Sequence, residues 1–338
     1  MKKLLIAIVV IMVTTVLTLG CSNKPYPDQD YRQGMRDFVQ NISVYAKTVK
    51  PGFMVIPQNG HELLTKNGET EGELAVDYLR AIDGIGREDL FYGYVGDNIP
   101  TPFSVRNQMI PFLDIAESNG VEVLVTDYCW THSFVDNSYE ENANKGYISF
   151  AADHRELDNI PVYPTVPYNV NTNNVTRLCE AKNFLYLINP GAYGTKEDFL
   201  NAVKNTDYDI VIIDLFYDNE ELTFEEVASL KTKSNGGTRL VVAYMSIGEA
   251  EDYRYYWQTE WETNPPPWLA GENLDWPGNY RVRYWDEDWQ EIIYGNNGSY
   301  LKKIIDAGFD GVYLDKVDAF EYFENLGVID VFEQLRNQ

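Results

Sequence analysis

Four carboxylate side chains stand at the ends of apolar segments, a position that suits chemistry better than packing. Asp315 directly follows the apolar residues 312–314, and Asp127, Asp214 and Glu249 end three earlier apolar runs. Like charges that are crowded together are costly unless they are used or paired, and crowding raises some of their pKa values. The four carboxylates therefore predict a reactive or ligand-binding site.

Glycoside hydrolysis requires two carboxyl groups in unlike environments. One is protonated and donates its proton to the leaving oxygen, and the other is ionised and acts as nucleophile or base. The alternative is structural, because acids at such positions also cap helices or pair with Arg254, Arg281 and Arg283. That explanation suits any single position better than it suits all four together.

Strands must bring these carboxylates together, and the sequence contains eight candidate runs. Most of them are continuously apolar, which is typical of strands that are buried on both faces of a parallel sheet. The runs are 53–60, 90–96, 121–129, 162–166, 183–190, 209–216, 239–248 and 311–317. Helical patterns lie between them at 104–120, 195–205, 223–237 and 298–308, and the second opens with a capping-box pattern.

This alternation predicts an α/β fold, a (β/α)8 TIM-type barrel with long loop excursions over the C-terminal face. The polar segment 130–182 and the tryptophan-rich segment 254–290 are the two excursions. A doubly wound open sheet is the alternative, but no GxGxxG or GxxxxGK(S/T) motif supports a nucleotide site in it. In a TIM-type barrel the chemistry lies at the carboxyl ends of the strands, where the four carboxylates fall.

Charge and composition exclude several kinds of function. The formal net charge is −25, and because phosphate binding needs a basic surface, nucleic acid is not an expected partner. His61, His132 and His154 lack the spacing of metal ligands, and no HExxH or CxxC motif occurs, so neither a metal nor another cofactor is expected. The 25 tyrosines and 7 tryptophans supply many side chains that can stack on sugar rings, although packing explains any one of them.

The N-terminus predicts export. Lys2 and Lys3 precede an apolar stretch at 4–16, and the sequence LTLGC ending at Cys21 is typical of a bacterial lipoprotein signal. The prediction is a signal peptide at 1–20, a lipidated polar tether at 21–45 and one domain at 46–338, with the lipid on Cys21 anchoring the chain to a membrane. Ser22 favours the outer membrane or cell surface, and an ordinary signal peptide or anchor helix is the alternative.

The remaining two cysteines leave two alternatives open. If Cys21 carries lipid, Cys129 and Cys179 can form a disulfide in an exported protein, or both can be free thiols.

Three segments, AYMSIGEAEDYR, WPGNYRVRYWDEDW and GFDGVYLDKVDAF, together resemble a known family. They are similar to the extracellular endo-α-1,4-polygalactosaminidases, the group around glycoside hydrolase family 114 that was once mislabelled as related to cysteinyl-tRNA synthetase. The resemblance is clearest over 209–320 and extends from about residue 52. It implies a TIM-type barrel, secretion and hydrolysis of an amino-sugar polymer. Members differ around GEAE and just before the aspartate of LDxxD, so the acidic residues carry over as a site more safely than as named roles.

The residues and the resemblance together suggest a division of roles. Asp214, Glu249 and Asp315 are the predicted catalytic residues, with Asp315 or Asp214 as nucleophile or base and Glu249 as general acid. The predicted substrate-binding residues are Asp127, Tyr244, Glu251, Arg254, Trp257, Trp285, Tyr313 and Asp318.

The leading hypothesis is therefore a lipid-anchored, endo-acting glycoside hydrolase that cleaves a polygalactosamine-like polysaccharide as a monomer. The main alternative is a surface glycan-binding lipoprotein on a barrel scaffold without turnover, since barrels host many functions. Metal-dependent deacetylation or phosphoester hydrolysis is a third hypothesis, disfavoured by the lack of histidine ligands. Whether hydrolysis retains or inverts configuration depends on the carboxyl separation, which spacing in the sequence does not provide.

Overall fold

The computed structural model describes residues 29–326. The predicted signal peptide and Cys21 lie outside the described residues. The described chain falls into two compact units, of which the larger is Arg32–Ala319. The smaller unit includes residues 29–31 and 320–326, and within it Tyr31 stacks on Phe323 with ring centroids 5.8 Å apart.

The described chain alternates helices and strands, with short 3-10 turns between them. The helices are α1 (Tyr31–Val49), α2 (Val76–Ala81), α3 (Phe103–Ser118), α4 (His132–Lys145), α5 (Lys196–Lys204), α6 (Phe224–Leu230), α7 (Glu287–Ile293) and α8 (Tyr300–Asp306). Eight strands pair in parallel: β1 (Met54–Pro57), β2 (Gly84–Glu88), β5 (Glu122–Tyr128), β6 (Ile148–Ala152), β7 (Phe184–Leu187), β8 (Ile210–Ile213), β11 (Leu240–Ser246) and β15 (Gly311–Asp315). Short antiparallel strands complete the list: β3 (Tyr92–Gly93), β4 (Gly96–Pro100), β9 (Phe216–Tyr217), β10 (Glu220–Glu221), β12 (Glu249–Glu251), β13 (Leu269–Glu272) and β14 (Asn279–Val282).

The parallel strands form two sheets. One has the order β1-β15-β11-β8-β7, and the other has the order β2-β5-β6. The sheets meet beside β1, where Gln58 forms a parallel bridge with Gly86 and the Asn59 amide donates to the Gly86 carbonyl at 2.8 Å. Within residues 29–326, β6 and β7 contact each other without a hydrogen-bonded ladder. The fold is thus α/β with parallel sheets, as the sequence predicted.

Side chains from both sheets fill the space between them. Strand β8 is buried along its whole length because both of its faces pack inside the protein, which is why its sequence reads as an unbroken apolar run. Tyr186 and Tyr313 meet edge to face with centroids 5.1 Å apart. Opposite them, a Cβ on Gly86 would lie 1.9 Å from the Tyr313 hydroxyl, so only glycine fits there.

Two of the predicted strands are wrong. Residues 90–96 contribute to the β3–β4 hairpin and not to a parallel sheet, and residues 162–166 form no strand. The parallel strands that replace them are β2 and β6. Strand β2 carries two glycines and two charged residues in the sequence GIGRE, and it lacks the apolar run by which the other strands were recognised. Gly86 is required by the bulk of Tyr313, and a Cβ on Gly84 would lie 2.8 Å from Leu178, so both glycines answer to tertiary contacts.

The segment boundaries also need correction. The predicted tether 21–45 overlaps α1, whose buried residues Met35, Phe38, Val39 and Ile42 recur at helical spacing. The predicted excursion 130–182 contains α4 and β6. Helix α6 ends at Leu230, earlier than the predicted 223–237.

Cys129 is buried and Cys179 is exposed, and both are free thiols. This resolves the two alternatives for this pair in favour of separate thiols. Among the helices of the described chain, none has the length and apolar character required to cross a membrane.

Candidate active site

A cavity of ≈ 780 Å³ opens at the carboxyl ends of the parallel strands. Residues at or just after seven of these strands line it: Gln58 after β1, Glu88 on β2, Tyr128 on β5, Ile188 after β7, Asp214 after β8, Ser246 on β11 and Asp315 on β15. This is the end of a parallel α/β fold at which active sites are built. The three predicted catalytic carboxylates, Asp214, Glu249 and Asp315, all line this cavity.

Asp214 belongs to a buried group that we call the guanidinium cluster, made of Asp214, Arg254 and Glu251. Arg254 donates to the two oxygens of Asp214 at 2.9 and 2.7 Å and, through Nε, to Glu251 at 2.6 Å. The Phe216 amide donates a further hydrogen bond of 2.8 Å to Asp214. Bidentate contacts of this kind are among the stronger ion pairs in proteins, so they hold the Asp214 carboxylate in one orientation.

In the guanidinium cluster one guanidinium serves two carboxylates. Burial raises the pKa of Asp214, and the Arg254 guanidinium opposes that rise. Burial lowers the pKa of Arg254, but Asp214 and Glu251 outweigh this effect and raise it well above its ordinary value. The guanidinium is therefore permanently charged and favours an ionised Asp214.

Asp315 and Glu249 form a second group, the lysine cluster, together with Lys316. Tyr244 donates its hydroxyl to Asp315 at 2.7 Å, and the Lys316 amide donates to the other Asp315 oxygen at 2.7 Å. Glu249 accepts from the Asn273 side-chain amide at 2.8 Å, and its other oxygen lies 3.7 Å from the Lys316 ammonium. The two carboxyl groups thus share one cation.

The lysine cluster can carry a proton near neutral pH. Burial raises the pKa of Asp315 to about 6, with the Lys316 ammonium opposing the rise and Glu88 adding to it. Burial also raises the pKa of Glu249, Lys316 opposes the rise, and Asp315 adds to it. A carboxyl group with a pKa near the working pH is suited to general acid–base chemistry.

The turns that carry the lysine cluster are closely packed. A Cβ on Gly248 would lie 2.2 Å from the Lys316 carbonyl oxygen, so the residue before Glu249 must be glycine. Ser246 donates its hydroxyl to the Glu249 carbonyl at 3.1 Å. Lys316 has φ of 61°, in the left-handed region, which costs a residue with a Cβ roughly 1–2 kcal/mol.

Asp127, which the sequence predicted to contact substrate, lies away from the cavity. Asp127 is fully buried and absent from the cavity lining. It accepts from the Phe91 amide at 2.8 Å, the Tyr92 amide at 3.1 Å, the Ser138 hydroxyl at 2.6 Å and the Asn142 side chain at 3.2 Å. Its carboxylate joins the β3–β4 hairpin to α4, a structural role that differs from the helix capping and arginine pairing considered from the sequence.

Of the four aromatic residues predicted to bind substrate, three lie away from the cavity. Tyr313 is fully buried in the core below it. Trp257 packs against Trp261 at 5.3 Å, and Trp285 packs edge-on against Tyr284 at 5.0 Å. Neither tryptophan lines the cavity. These rings pack against other aromatic side chains, which is the packing alternative considered for aromatic residues in the sequence.

The other predicted substrate-binding residues do line the cavity. Tyr244, Glu251, Arg254 and Asp318 all contribute to its surface. Glu251 and Arg254 bind each other within the guanidinium cluster, and Glu251 also accepts from the Tyr253 hydroxyl at 2.6 Å. Asp318 is partly exposed on the turn after β15.

Sequence reasoning missed several residues of the cavity. Glu88 accepts from Gln58 at 2.5 Å, from Asn59 at 3.2 Å and from the Tyr128 hydroxyl. The rule that active-site acids follow strands would have found Glu88 if β2 had been recognised. Trp276, 41% exposed, lies in the turn 273–279, whose first residue, Asn273, also binds Glu249.

The cavity is strongly acidic. Nine of its described lining residues are carboxylates and three are cations. The carboxylates are Glu88, Glu156, Asp158, Asp214, Asp218, Glu249, Glu251, Asp315 and Asp318, and the cations are Arg155, Arg254 and Lys316. Arg155 is already paired with Asp89 at 2.8 Å and Asp97 at 2.7 Å. Within residues 29–326, no group of three or more His, Cys, Asp or Glu side chains is arranged to hold a metal ion.

Comparison with known proteins agrees with this geometry. Residues 169–334 match the model of glycoside-hydrolase family GH114, a family of the TIM-barrel type. This match covers the guanidinium cluster, the lysine cluster and the turn 273–279, and it makes this part of the chain glycoside hydrolase family 114-like.

Three curated relatives are similar over part of their length. The uncharacterized protein MJ1477 of Methanocaldococcus jannaschii is 40% identical over 190 residues, which are 55% of this chain and 51% of that protein. An uncharacterized protein of Thermotoga maritima is 43% identical over 127 residues, or 38% of each chain. One of Deinococcus radiodurans is 41% identical over 126 residues, 37% of this chain and 38% of that protein. The matched region thus spans about half or less of these relatives.

Proposed function

We propose that this protein is an endo-acting glycoside hydrolase of amino-sugar-containing polysaccharides. The observation that carries the proposal is the presence, in one cavity at the strand ends, of two carboxyl environments that differ in how a cation contacts them. In the guanidinium cluster a two-point contact with Arg254 stabilises the charge of Asp214, whereas the carboxyl pair of the lysine cluster has one ammonium, 3.7 Å from Glu249. Glycoside hydrolysis needs two unlike carboxyl groups. The match of residues 169–334 to a glycoside-hydrolase family supports this assignment.

The roles follow from the two environments. Asp214 acts as the ionised nucleophile or base, because Arg254 stabilises its charge. A carboxyl group of the Asp315–Glu249 pair donates its proton to the oxygen of the departing sugar, and water supplies the hydroxyl that ends on the anomeric carbon. If Asp214 is the nucleophile, water hydrolyses the covalent intermediate and gives its proton back to the pair. If Asp214 is the base, it takes the proton of the attacking water, and exchange with solvent returns a proton to the pair, so the protein is unchanged after each turnover.

The acidic cavity favours a substrate with positive charge. Partly deacetylated amino-sugar polymers carry ammonium groups near neutral pH, and nine carboxylates against three cations attract them from solution. Such attraction weakens with ionic strength, because the Debye length falls to about 3 Å at 1 M salt. Trp276 is an exposed aromatic ring of the cavity, as is Tyr253, and we propose that a sugar of the polymer stacks on Trp276.

The same proposal includes a fold and a location. Eight parallel strands, with a bridge between Gln58 and Gly86, support closure into a (β/α)8 barrel. The LTLGC sequence supports lipidation at Cys21 and a position at the outer membrane or cell surface, where the protein acts as a monomer.

The anchor is tested by replacing the lipidated residue. We expect Cys21→Ser to move the protein from the membrane fraction to the soluble fraction, because the acyl chains are lost. Fractionation followed by mass analysis of the N-terminal peptide measures this. A wild type without lipid, or a variant that still sediments with membranes, contradicts the anchor.

The activity is tested on the domain without residues 1–28, offered defined galactosamine, glucosamine and neutral glycans. We expect new reducing ends from a galactosamine polymer, no cleavage by Asp315→Asn, and slower cleavage at 1 M salt. Retention of the polymer by both proteins without new reducing ends would instead favour the alternative, a glycan-binding protein without turnover.

A further inference from the structure

Lys316 has a backbone conformation that its side chain does not favour. Its φ is 61°, and a long side chain is uncommon in this left-handed region. Glycine would adopt the same backbone at no steric cost. Residues held in such conformations are concentrated at functional sites, where the surrounding structure over-determines them.

The backbone of Lys316 is locked by its neighbours on both sides. Its amide donates to the Asp315 carboxylate at 2.7 Å, and its carbonyl accepts from the Ala319 amide at 3.2 Å. The same carbonyl lies against Gly248, where a Cβ would be 2.2 Å away. The left-handed turn therefore fixes where the lysine side chain leaves the strand, which is next to Asp315 and against the turn that carries Glu249.

The Lys316 ammonium is held less tightly than the other two cations of the cavity. Arg254 and Arg155 bind their carboxylates at 2.6–2.9 Å. Lys316 approaches Glu249 at 3.7 Å, and in the described part of the chain its ammonium makes no shorter hydrogen bond. Its position is that of a charge shared among several acids rather than that of one member of a closed pair.

Several charged groups face this lysine and its two partners. The acids around Lys316 are Asp315 and Asp318 on its own segment, Glu249 on β12 and Glu88 on β2. Arg281 on β14 acts on Glu249, and Arg87 on β2 acts on Asp318. Lys316 is the cation that both Asp315 and Glu249 have in common.

We propose that Lys316 is a positioning residue whose ammonium keeps the Asp315–Glu249 pair in its singly protonated state. This inference rests on the proposed glycoside hydrolase function, because the proton on the pair is the one delivered to the leaving sugar. Without the ammonium, two neighbouring buried carboxyl groups retain protons to a higher pH, and no charge is left to orient the donor. With it, one group is ionised and the other is the acid.

The direction of the effect follows from electrostatics. Burial raises the pKa values of both Asp315 and Glu249, and in both cases Lys316 is the largest opposing influence. An opposite charge within about 4–6 Å lowers a carboxyl pKa by roughly 1–3 units. Removing the ammonium should therefore move the titration of the pair to higher pH by about 1 unit or more.

The experiment compares four variants with the wild type. Lys316→Met removes the charge and keeps the chain length, and Lys316→Arg keeps the charge. Lys316→Gly removes the side chain and relieves the left-handed backbone, which provides a folded protein if the methionine variant fails to fold. Lys302→Met is the matched control, because it removes an equal charge that pairs with Asp306 on α8 away from the cavity.

The primary readout is the titration of the Asp315 carboxyl carbon by NMR, with the signal assigned through Asp315→Asn. The wild type, Lys316→Arg and Lys302→Met should titrate together near pH 6. Lys316→Met and Lys316→Gly should titrate about 1 unit or more higher. An unchanged titration in both charge-removing variants, or an equal shift in Lys302→Met, overturns the proposal.

The second readout is the pH profile of hydrolysis. Both limbs of the kcat/KM profile should shift to higher pH in Lys316→Met and return towards the wild-type positions in Lys316→Arg. A uniform loss of activity without a shift in pH would mean a merely structural role and would also overturn the proposal. If the carboxyl titration shifts as expected while the wild type cleaves no glycan, the electrostatic role stands and the proposed function fails.

Discussion

The two sides of the cavity use the same kinds of group for opposite purposes. In the guanidinium cluster, Arg254 binds Asp214 at 2.7 and 2.9 Å in a planar, two-point contact. In the lysine cluster, the Lys316 ammonium stays 3.7 Å from Glu249. The first arrangement stabilises one charge state, and the second leaves a carboxyl pair free to exchange a proton. The identity and distance of the cation thus distinguish the two carboxyl environments.

The largest effect on activity should come from the lysine cluster. We expect Asp315→Asn to lower kcat by a factor of 10³ or more, about 4 kcal/mol of barrier, because an amide can neither donate nor accept the required proton. The melting temperature should be unchanged or slightly higher. The rate of appearance of reducing ends measures the first effect, with Asp306→Asn, an exposed acid on α8, as the control.

Wild-type activity in folded Asp315→Asn would remove this residue from the mechanism and leave Asp214 as the next candidate. A variant that unfolds would make Asp315 a structural acid, and the contrast between the two clusters would be lost.

Mutation of the guanidinium cluster should mainly lower the stability of the protein. Arg254→Met leaves Asp214 and Glu251 buried and unpaired, so we expect a loss of about 3–5 kcal/mol in the free energy of unfolding. Denaturant titration measures it. The matched change Lys316→Met should cost far less, because the ammonium is not a partner in a bidentate contact. Equal losses for the two variants would contradict the distinction drawn between the clusters.

Asp315 should also make stability depend on pH. Its pKa is raised in the folded protein to about 6, so the folded state binds the proton more tightly than the unfolded state does. Stability should therefore fall as the pH rises from about 4 to about 6, by about 1–3 kcal/mol for this group. Asp315→Asn should flatten this part of the curve. If the free energy of unfolding has the same pH dependence in the wild type and in Asp315→Asn over this interval, Asp315 is not the titrating group.

The smallest effect should come from Trp276, the exposed tryptophan of the cavity. Trp276 lies on the turn whose first residue, Asn273, binds Glu249. We expect Trp276→Ala to raise KM about tenfold, equivalent to about 1.4 kcal/mol, with kcat little changed. Trp130, exposed outside the cavity lining, provides the control Trp130→Ala. An equal effect of both substitutions would show that stacking in the cavity is not the cause.

The acids at strand ends could be predicted from the sequence, because a continuous apolar run is typical of a strand that is buried on both faces. The runs ending at Asp214, Glu249 and Asp315 are buried on both faces, and the carboxylate must emerge where burial stops. The same logic predicted Asp127, which lies outside the cavity lining because the β3–β4 hairpin and α4 close over it, and the sequence does not record that contact. Only tertiary contacts separate a buried acid from one that faces a cavity.

The sequence by itself determined the α/β class, the parallel strands with apolar runs and three acids of the cavity, since these depend on periodicity and on the position of a residue along its strand. The tertiary structure alone decided which groups act together. Glu88 reaches the cavity from a strand in which Gly86 packs on Tyr313, and a left-handed turn packed on Gly248 places Lys316 beside Glu249. These pairings join segments that are distant along the chain, and their distances and burial set the charge of each carboxyl group.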